Sequence, residues 1–239
     1  MPFFLLSQAP STMLIFDPES APIDSVAGEA AVDPSNLNLG WIRHRFAAPP
    51  QWQPETTDEQ RFFSAQHDFK RASVLIALVQ RDHGLNVLFT RRTEHLSQHA
   101  GQISFPGGRQ ELSDSDAIET ALRETEEEIG LDRALVDVLG TLPDYLTITG
   151  YRVTLVVGAI QDLPWLHSDP EEVAEIFEVP LSFLMDGQVH QRRRVVVPGD
   201  DNQQILRTFY AMPYQHHFIW GATAGMLRNL FHFLRARTA

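Results

Sequence analysis

Short apolar runs separated by polar punctuation divide the chain, and the period of each run predicts its element. Ala72 to Gln80 (ASVLIALVQ) is a β-rich apolar run, RDHG supplies a turn, and Leu85 to Arg92 (LNVLFTRR) is a second such run. Together they predict a β-hairpin. Between Ser113 and Leu131 the period changes: Ile118, Ala121, Leu122, Thr125 and Ile129 fall at i, i+3, i+4, i+7 and i+11, one buried stripe of an α-helix. Ser113, with Asp116 three residues on, resembles a capping box at its start, and Gly130 stands where a left-handed C-terminal cap is wanted. Strands are expected at Val136 to Leu142 and Val153 to Ile160, a short helix mixed with a strand at Glu171 to Leu181, and another strand pair at RRRVVVP and ILRTFYAM. Ile219 to Ala236 should close the chain as a helix with Leu227, Leu230, Phe231 and Leu234 inward.

Residues 1–70 lack this periodicity. They read as an extended lead-in rich in Ala, Pro, Ser and Asp, with a short helix around Asn36 to Phe46 and a Pro-rich connector, AAPPQWQP. The ordered domain is expected over 71–239. Runs of strands with helices inserted imply an α+β fold, with a mixed β-sheet between helices.

Composition narrows the function. At 239 residues, 43% hydrophobic and 21% charged, the chain suits one well-cored globular domain. With 19 basic against 31 acidic residues its formal charge is −12, which argues against broad binding to nucleic acid or an anionic membrane. An anionic small-molecule substrate would need local help from arginines or a metal ion. The absence of cysteine excludes disulfides, thiolate zinc sites and cysteine nucleophiles, and fits a reducing, cytoplasmic setting. The first residues, MPFFLLSQAPSTMLIF, faintly resemble a signal peptide, but no Lys or Arg precedes Arg43 and Pro10 interrupts the apolar run, so a non-secretory protein is expected. Met13 could itself serve as a start. No apolar stretch approaches the length of a membrane span.

The candidate chemistry lies in Arg123 to Leu131, RETEEEIGL, where Glu124, Glu126, Glu127 and Glu128 crowd together. On a helix Glu124, Glu127 and Glu128 share a sector at i, i+3 and i+4, while Glu126 points elsewhere. Like charges so spaced destabilise a helix by roughly 0.2–0.5 kcal/mol per pair. They also lie at the C-terminal end, where the helix dipole disfavours anions. Two readings follow: a solvated acidic helix end, or a cage for a cation. An all-oxygen donor set favours Mg²⁺ or Mn²⁺.

The order of parts bears on that choice. A Gly107-Gly108 turn, an acidic linker (Glu111, Asp114, Asp116), then Arg123-Glu124 and Glu127-Glu128 before Gly130 resembles the Nudix box, G-x5-E-x7-R-E-U-x-E-E-x-G-U. The interval from Gly108 to Arg123 is one residue longer than in the general box, and Thr125 stands at an aliphatic position. Leu88 to Gly108, LFTRRTEHLSQHAGQISFPGG, is similar to the additional signature of coenzyme A-type Nudix hydrolases, a branch with such a longer interval. Thr90, Gly101, Phe105, Pro106, Gly107 and Gly108 match it in register, whereas Ser97 replaces an arginine and Arg92 a threonine. EVAEIFEVPL and IWGATAGML also resemble this branch, extending the likeness to about residues 70–236.

The resemblance implies a Nudix fold, an α/β/α sandwich around a mixed sheet, and hydrolysis of the diphosphate of coenzyme A or an acyl derivative, or of another nucleoside diphosphate such as a nucleotide sugar, ADP-ribose or a dinucleotide. It implies Glu124, Glu127 and Glu128 as metal ligands with the Gly107 carbonyl, and Arg123 as the group that orients a neighbouring glutamate; the plain alternative for Arg123 is a surface ion pair with Glu119 or Glu127. Glu172 or Glu175 would supply a base. Gly101, Phe105 and Gly108 belong to the substrate-side signature. A non-catalytic sensing module would be expected to lack the box carboxylates, and homodimers are frequent in the family.

Other residues carry weaker signals. Arg91 and Arg92 end a strand beside the signature and could meet substrate phosphates. His95 and His99, at i and i+4, have no third partner nearby, and His216 and His217 show no recognisable ligand spacing. Arg192, Arg193 and Arg194 read as hairpin decoration, and Trp220, Phe231 and Phe233 as core or interface aromatics.

Overall fold

The computed structural model describes residues 16–55, 67–95, 101–198 and 204–237. Along them run β1 (Ile23–Val26), α1 (Leu39–Ala47), β2 (Lys70–Arg81), β3 (Gly84–Arg92), β4 (Ile103–Ser104), β5 (Gly107–Arg109), α2 (Ala117–Ile129), β6 (Asp137–Leu146), β7 (Tyr151–Ile160), β8 (Val173–Pro180), α3 (Leu181–Leu184), β9 (Gln191–Pro198), β10 (Gln204–Tyr214), β11 (His217–Trp220) and α4 (Gly221–Arg235).

The expected hairpin is β2 and β3, and its unbroken apolar run is explained by burial on both faces. Leu75, Ala77 and Val79 pack with Ala121, Ile129 and Leu131 beneath α2, while Ile76 and Leu78 join Ile42 of α1 and Leu227, Leu230 and Phe231 of α4 on the opposite face. A strand covered on both sides cannot alternate polar and apolar residues. The sheet is mixed: β2 runs parallel to β7 from Lys70↔Tyr151 to Val79↔Ile160, and β7 runs antiparallel to β6. Helices on both faces make the expected α/β/α sandwich. Each fully buried Leu, Ile or Phe contributes about 1.5–3 kcal/mol by leaving water.

One irregularity positions the site. β2 and β3 pair only from Leu78↔Val87 to Arg81↔Gly84, and then separate. Into the gap fold β5, on the first half of β2, and β4, on the end of β3. The far edge of β3 is closed by β8.

One expectation is corrected and three gain detail. The cap of α2 is Asp116, whose side chain accepts from the Glu119 N–H at 2.9 Å; Ser113 lies in the preceding turn. At Glu171 to Leu181 the strand comes first and the short helix α3 follows it. A second sheet, ordered β1-β9-β10-β11, includes two short strands that periodicity did not signal. The lead-in supplies one of them, and α1, capped by Asn38, carries Ile42 into the core. Gly130 closes α2 at φ 67, as expected. Among the described residues no helix is long and apolar enough to cross a membrane.

Candidate active site

The two glycines of the turn are needed for different reasons. Gly107, at φ 146, lies so close to β2 that a Cβ would strike the Ser73 carbonyl; a Cβ on Gly108 would fall on the Glu124 carboxylate. The turn thereby brings β5 against α2, and the Gly107 N–H donates to Glu128 Oε2 at 3.0 Å.

Glu128 is only 6% exposed, and its nearest cation is Arg92, with Nη1 at 3.9 Å from Oε1. The same Nη1 is 4.0 Å from Glu172 Oε2. Glu124, Glu128, Glu172 and Arg92 all line one cavity of about 620 Å³. Burial pushes Glu128 up to about 7 despite the Gly107 N–H and the Arg92 charge, which act in the opposite direction. Burial likewise raises Glu124, with Arg123 opposing and Glu127 and Glu172 adding to it. Three carboxylates facing one guanidinium, two of them desolvated, leave excess negative charge that a hard divalent cation fits.

Arg123 binds Asp114 through both oxygens, Nε to Oδ1 at 2.8 Å and Nη2 to Oδ2 at 3.0 Å. It also reaches Glu124 Oε1 at 3.1 Å, Glu127 Oε2 at 2.9 Å and the Arg109 carbonyl at 3.2 Å. That hydrogen-bonded guanidinium holds Asp114 far below the usual carboxylate range, and Asp114 in turn raises Arg123. Glu124 is thus fixed from behind by a cation that the cavity does not see. Thr125, at the position where an aliphatic residue was expected, is buried and satisfies its hydroxyl by donating to the Ala121 carbonyl at 2.6 Å.

Of the residues singled out in the sequence, Arg92, Phe105, Gly107, Gly108, Glu124, Glu128 and Glu172 meet at the cavity. Arg91, Gly101, Arg123 and Glu127 do not line it. The Glu127 side chain is 60% exposed and turned to Arg123. Gly101, at φ 68, packs against Glu94, and Arg91 points to the other face of β3, where Glu175 meets it at 3.0 Å. Glu175 therefore lies outside the cavity and Glu172 inside. Glu119 and Glu126 both pair with Arg133, at 2.7 and 2.9 Å, which leaves Glu126 as a surface ion pair. Ser97 and His99 lie outside the described residues; His95 is exposed.

Arg193 corrects the reading of the arginine cluster as decoration. It is buried, donates to the carbonyls of Glu19 at 2.6 Å and Ala21 at 3.0 Å, and lies over the Phe218 ring. Asp114 and the aromatic wall of the cavity were not singled out for these roles. Phe16, Phe209 and Trp220 form that wall, with centroids 5.4 to 6.2 Å apart. Its members come from three separate segments, so no local spacing announces them. Asp114 did carry a signal, an acid in the lengthened interval before the helix.

The NUDIX domain profile matches residues 69–199. The uncharacterized Nudix hydrolase NudL of Escherichia fergusonii is 40% identical over 162 residues, covering 67% of this chain and 81% of the relative. The NudL of Salmonella newport is 36% identical over 201 residues, covering 83% of this chain and 96% of the relative. Among solved structures, the MutT protein of Methanosarcina mazei Go1 overlaps 51% of this chain and 83% of its own length, at a TM-score of 0.40 and 24% identity. The chain belongs to the Nudix family of hydrolases, enzymes that generally use divalent cations such as Mg²⁺ or Mn²⁺.

Proposed function

We propose that the protein is a divalent-metal-dependent pyrophosphohydrolase of coenzyme A or acyl-coenzyme A, yielding 4′-phosphopantetheine, or its acyl form, and adenosine 3′,5′-bisphosphate. The observation that carries this reading is the mixed lining of one cavity, which combines Glu124, Glu128, Glu172 and Arg92 with Phe16, Phe209, Trp220 and Met226. A substrate with a diphosphate flanked by bulky, partly apolar groups suits both kinds of lining. The signature at Leu88 to Gly108 favours coenzyme A among such substrates.

Glu124 and Glu128 would hold Mg²⁺ or Mn²⁺, with the Gly107 carbonyl expected beside them. Glu127 belongs to this set by the family motif, but it reaches the cavity only by releasing Arg123. When bound, the cation screens the diphosphate and lowers the pKa of water. Arg92 would bind a diphosphate oxygen, and Arg123 would orient Glu124 through their charge-assisted hydrogen bond of 3.1 Å. Glu172, which lines the cavity, would take the proton of the attacking water as the water oxygen bonds to phosphorus and the bridging oxygen departs.

Ser97, where the signature has arginine, favours a second reading in which the flanking group is a sugar or a second nucleoside. Steady-state hydrolysis of coenzyme A, dephospho-coenzyme A, ADP-ribose and NADH, with products identified in ¹⁸O-water, distinguishes the two. Coenzyme A should have the highest kcat/KM. Equal or better turnover of ADP-ribose or NADH would overturn the substrate assignment while leaving a Nudix hydrolase.

A further inference from the structure

We propose a second metal site, independent of the cavity, in which Glu175, His216 and His217 bind Zn²⁺ and join the two sheets. One ligand atom from each of the three residues falls within 4.8 Å of the others. His217 Nε2 is 3.2 Å from Glu175 Oε1, and His216 Nε2 is 3.9 Å from the same oxygen. Donors bound at about 2.0–2.1 Å around a tetrahedral ion stand about 3.3 Å apart. The first spacing is already that of a ligand pair. The second requires a small swing of His216, whose side chain is 71% exposed on the turn between β10 and β11 and free to make it.

The surroundings favour a cation ligand over a plain hydrogen bond. His217 is 7% exposed and lies flat on Phe177, with centroids 3.6 Å apart and planes within 3°. Stacking fixes the ring and aims Nε2 at Glu175. Glu175 Oε2 stands 3.0 Å from Arg91 Nε as an ion pair, which leaves Oε1 turned to the two histidines. Two imidazoles and a carboxylate suit Zn²⁺, whereas Mg²⁺ prefers oxygen donors and water. The site is also separate from the carboxylate cavity, because Arg91 and Arg92 alternate across β3 and Glu175 lies on the Arg91 side. Glu175 belongs to β8 of the larger sheet and His217 to β11 of the smaller, so a bound ion would link the two.

Calorimetric titration of the full chain with Zn²⁺ in excess Mg²⁺ tests this, using Glu128→Gln to disable the cavity. That variant should bind one more equivalent of Zn²⁺ than the Glu128→Gln/His216→Ala double variant, and its Tm should rise by a few degrees with Zn²⁺ where the double variant does not respond. Glu175→Gln in place of His216→Ala should give the same loss. Equal stoichiometry in all three, or no Zn²⁺ bound by Glu128→Gln, overturns the site. His216→Ala lies in an exposed turn, so its result does not depend on refolding a core residue.

Discussion

At the scale of single residues, the site is held by contacts that oppose folding. Glu128 has one N–H donor and a guanidinium at 3.9 Å to answer a buried charge. Burying a carboxylate so poorly paired costs free energy that a cation would return. Glu128→Gln keeps an oxygen for the Gly107 N–H and removes the charge. Without divalent metal it should raise unfolding stability by about 1–2 kcal/mol. With metal it should lower kcat/KM by about 10² or more, since the charge that places the cation is gone. Urea unfolding in chelator and steady-state kinetics check the two halves; a destabilised apo protein would contradict the first. Gly108 offers a gentler probe. Its backbone lies outside the left-handed region, so Gly108→Ala should leave the fold intact within about 1 kcal/mol. Its Cβ displaces the Glu124 carboxylate, however, and activity should fall about tenfold or more, with Mg²⁺ titration showing weaker activation.

Between elements, the lead-in is tied to α4 by charge. Arg228, 3% exposed, donates to Glu29 at 2.8 Å and to Glu55 at 2.6 Å, and Glu55 also accepts from Tyr210 and His232. Burial alone would raise Glu55, but the bonds from His232, Arg228 and Tyr210 outweigh it and hold the carboxyl at about 2. A folded pKa depressed from 4.5 stabilises the protein above that value, and the contribution is lost as pH falls from 4.5 through 2. It amounts to about 3 kcal/mol at most. Glu55→Gln should therefore be less stable at neutral pH and lose less on acidification, which denaturant midpoints at pH 7, 4 and 3 would measure. None of this network was legible, because it joins side chains more than a hundred positions apart. What was legible had strong local period: the stripe of α2, the buried hairpin β2–β3 and the inward face of α4. The Gly-Gly turn and acidic helix were legible for a different reason, since their order matches a known motif. Periodicity failed where strands are very short or pairing is long-range. β1 and β11 are four residues each, and Arg193 looked exposed until the carbonyls of the lead-in were seen to cover it. The adjacent histidines at 216 and 217 looked unremarkable because their third partner sits on another sheet.

For the whole molecule the net charge becomes a kinetic quantity. A chain of this length folds to a body about 45 Å across, and its formal charge is −12. At an ionic strength of about 0.01 M the Debye length is about 30 Å, so an approaching anion meets nearly all of that charge at once. At about 0.15 M the length is about 8 Å, and only the groups around the cavity mouth are felt. Those groups include Arg92 and any cation held by Glu124 and Glu128. The long-range field repels a polyanionic substrate while the short-range field attracts it, and added salt removes the first before the second. With Mg²⁺ held fixed and saturating, kcat/KM should rise about two- to fivefold as KCl goes from about 0.01 to 0.15 M, with kcat nearly unchanged. A monotonic fall in kcat/KM for the unaltered chain would mean that local positive charge governs encounter from far outside the cavity, which an excess of 12 negative charges does not allow unless the basic groups are gathered at its mouth.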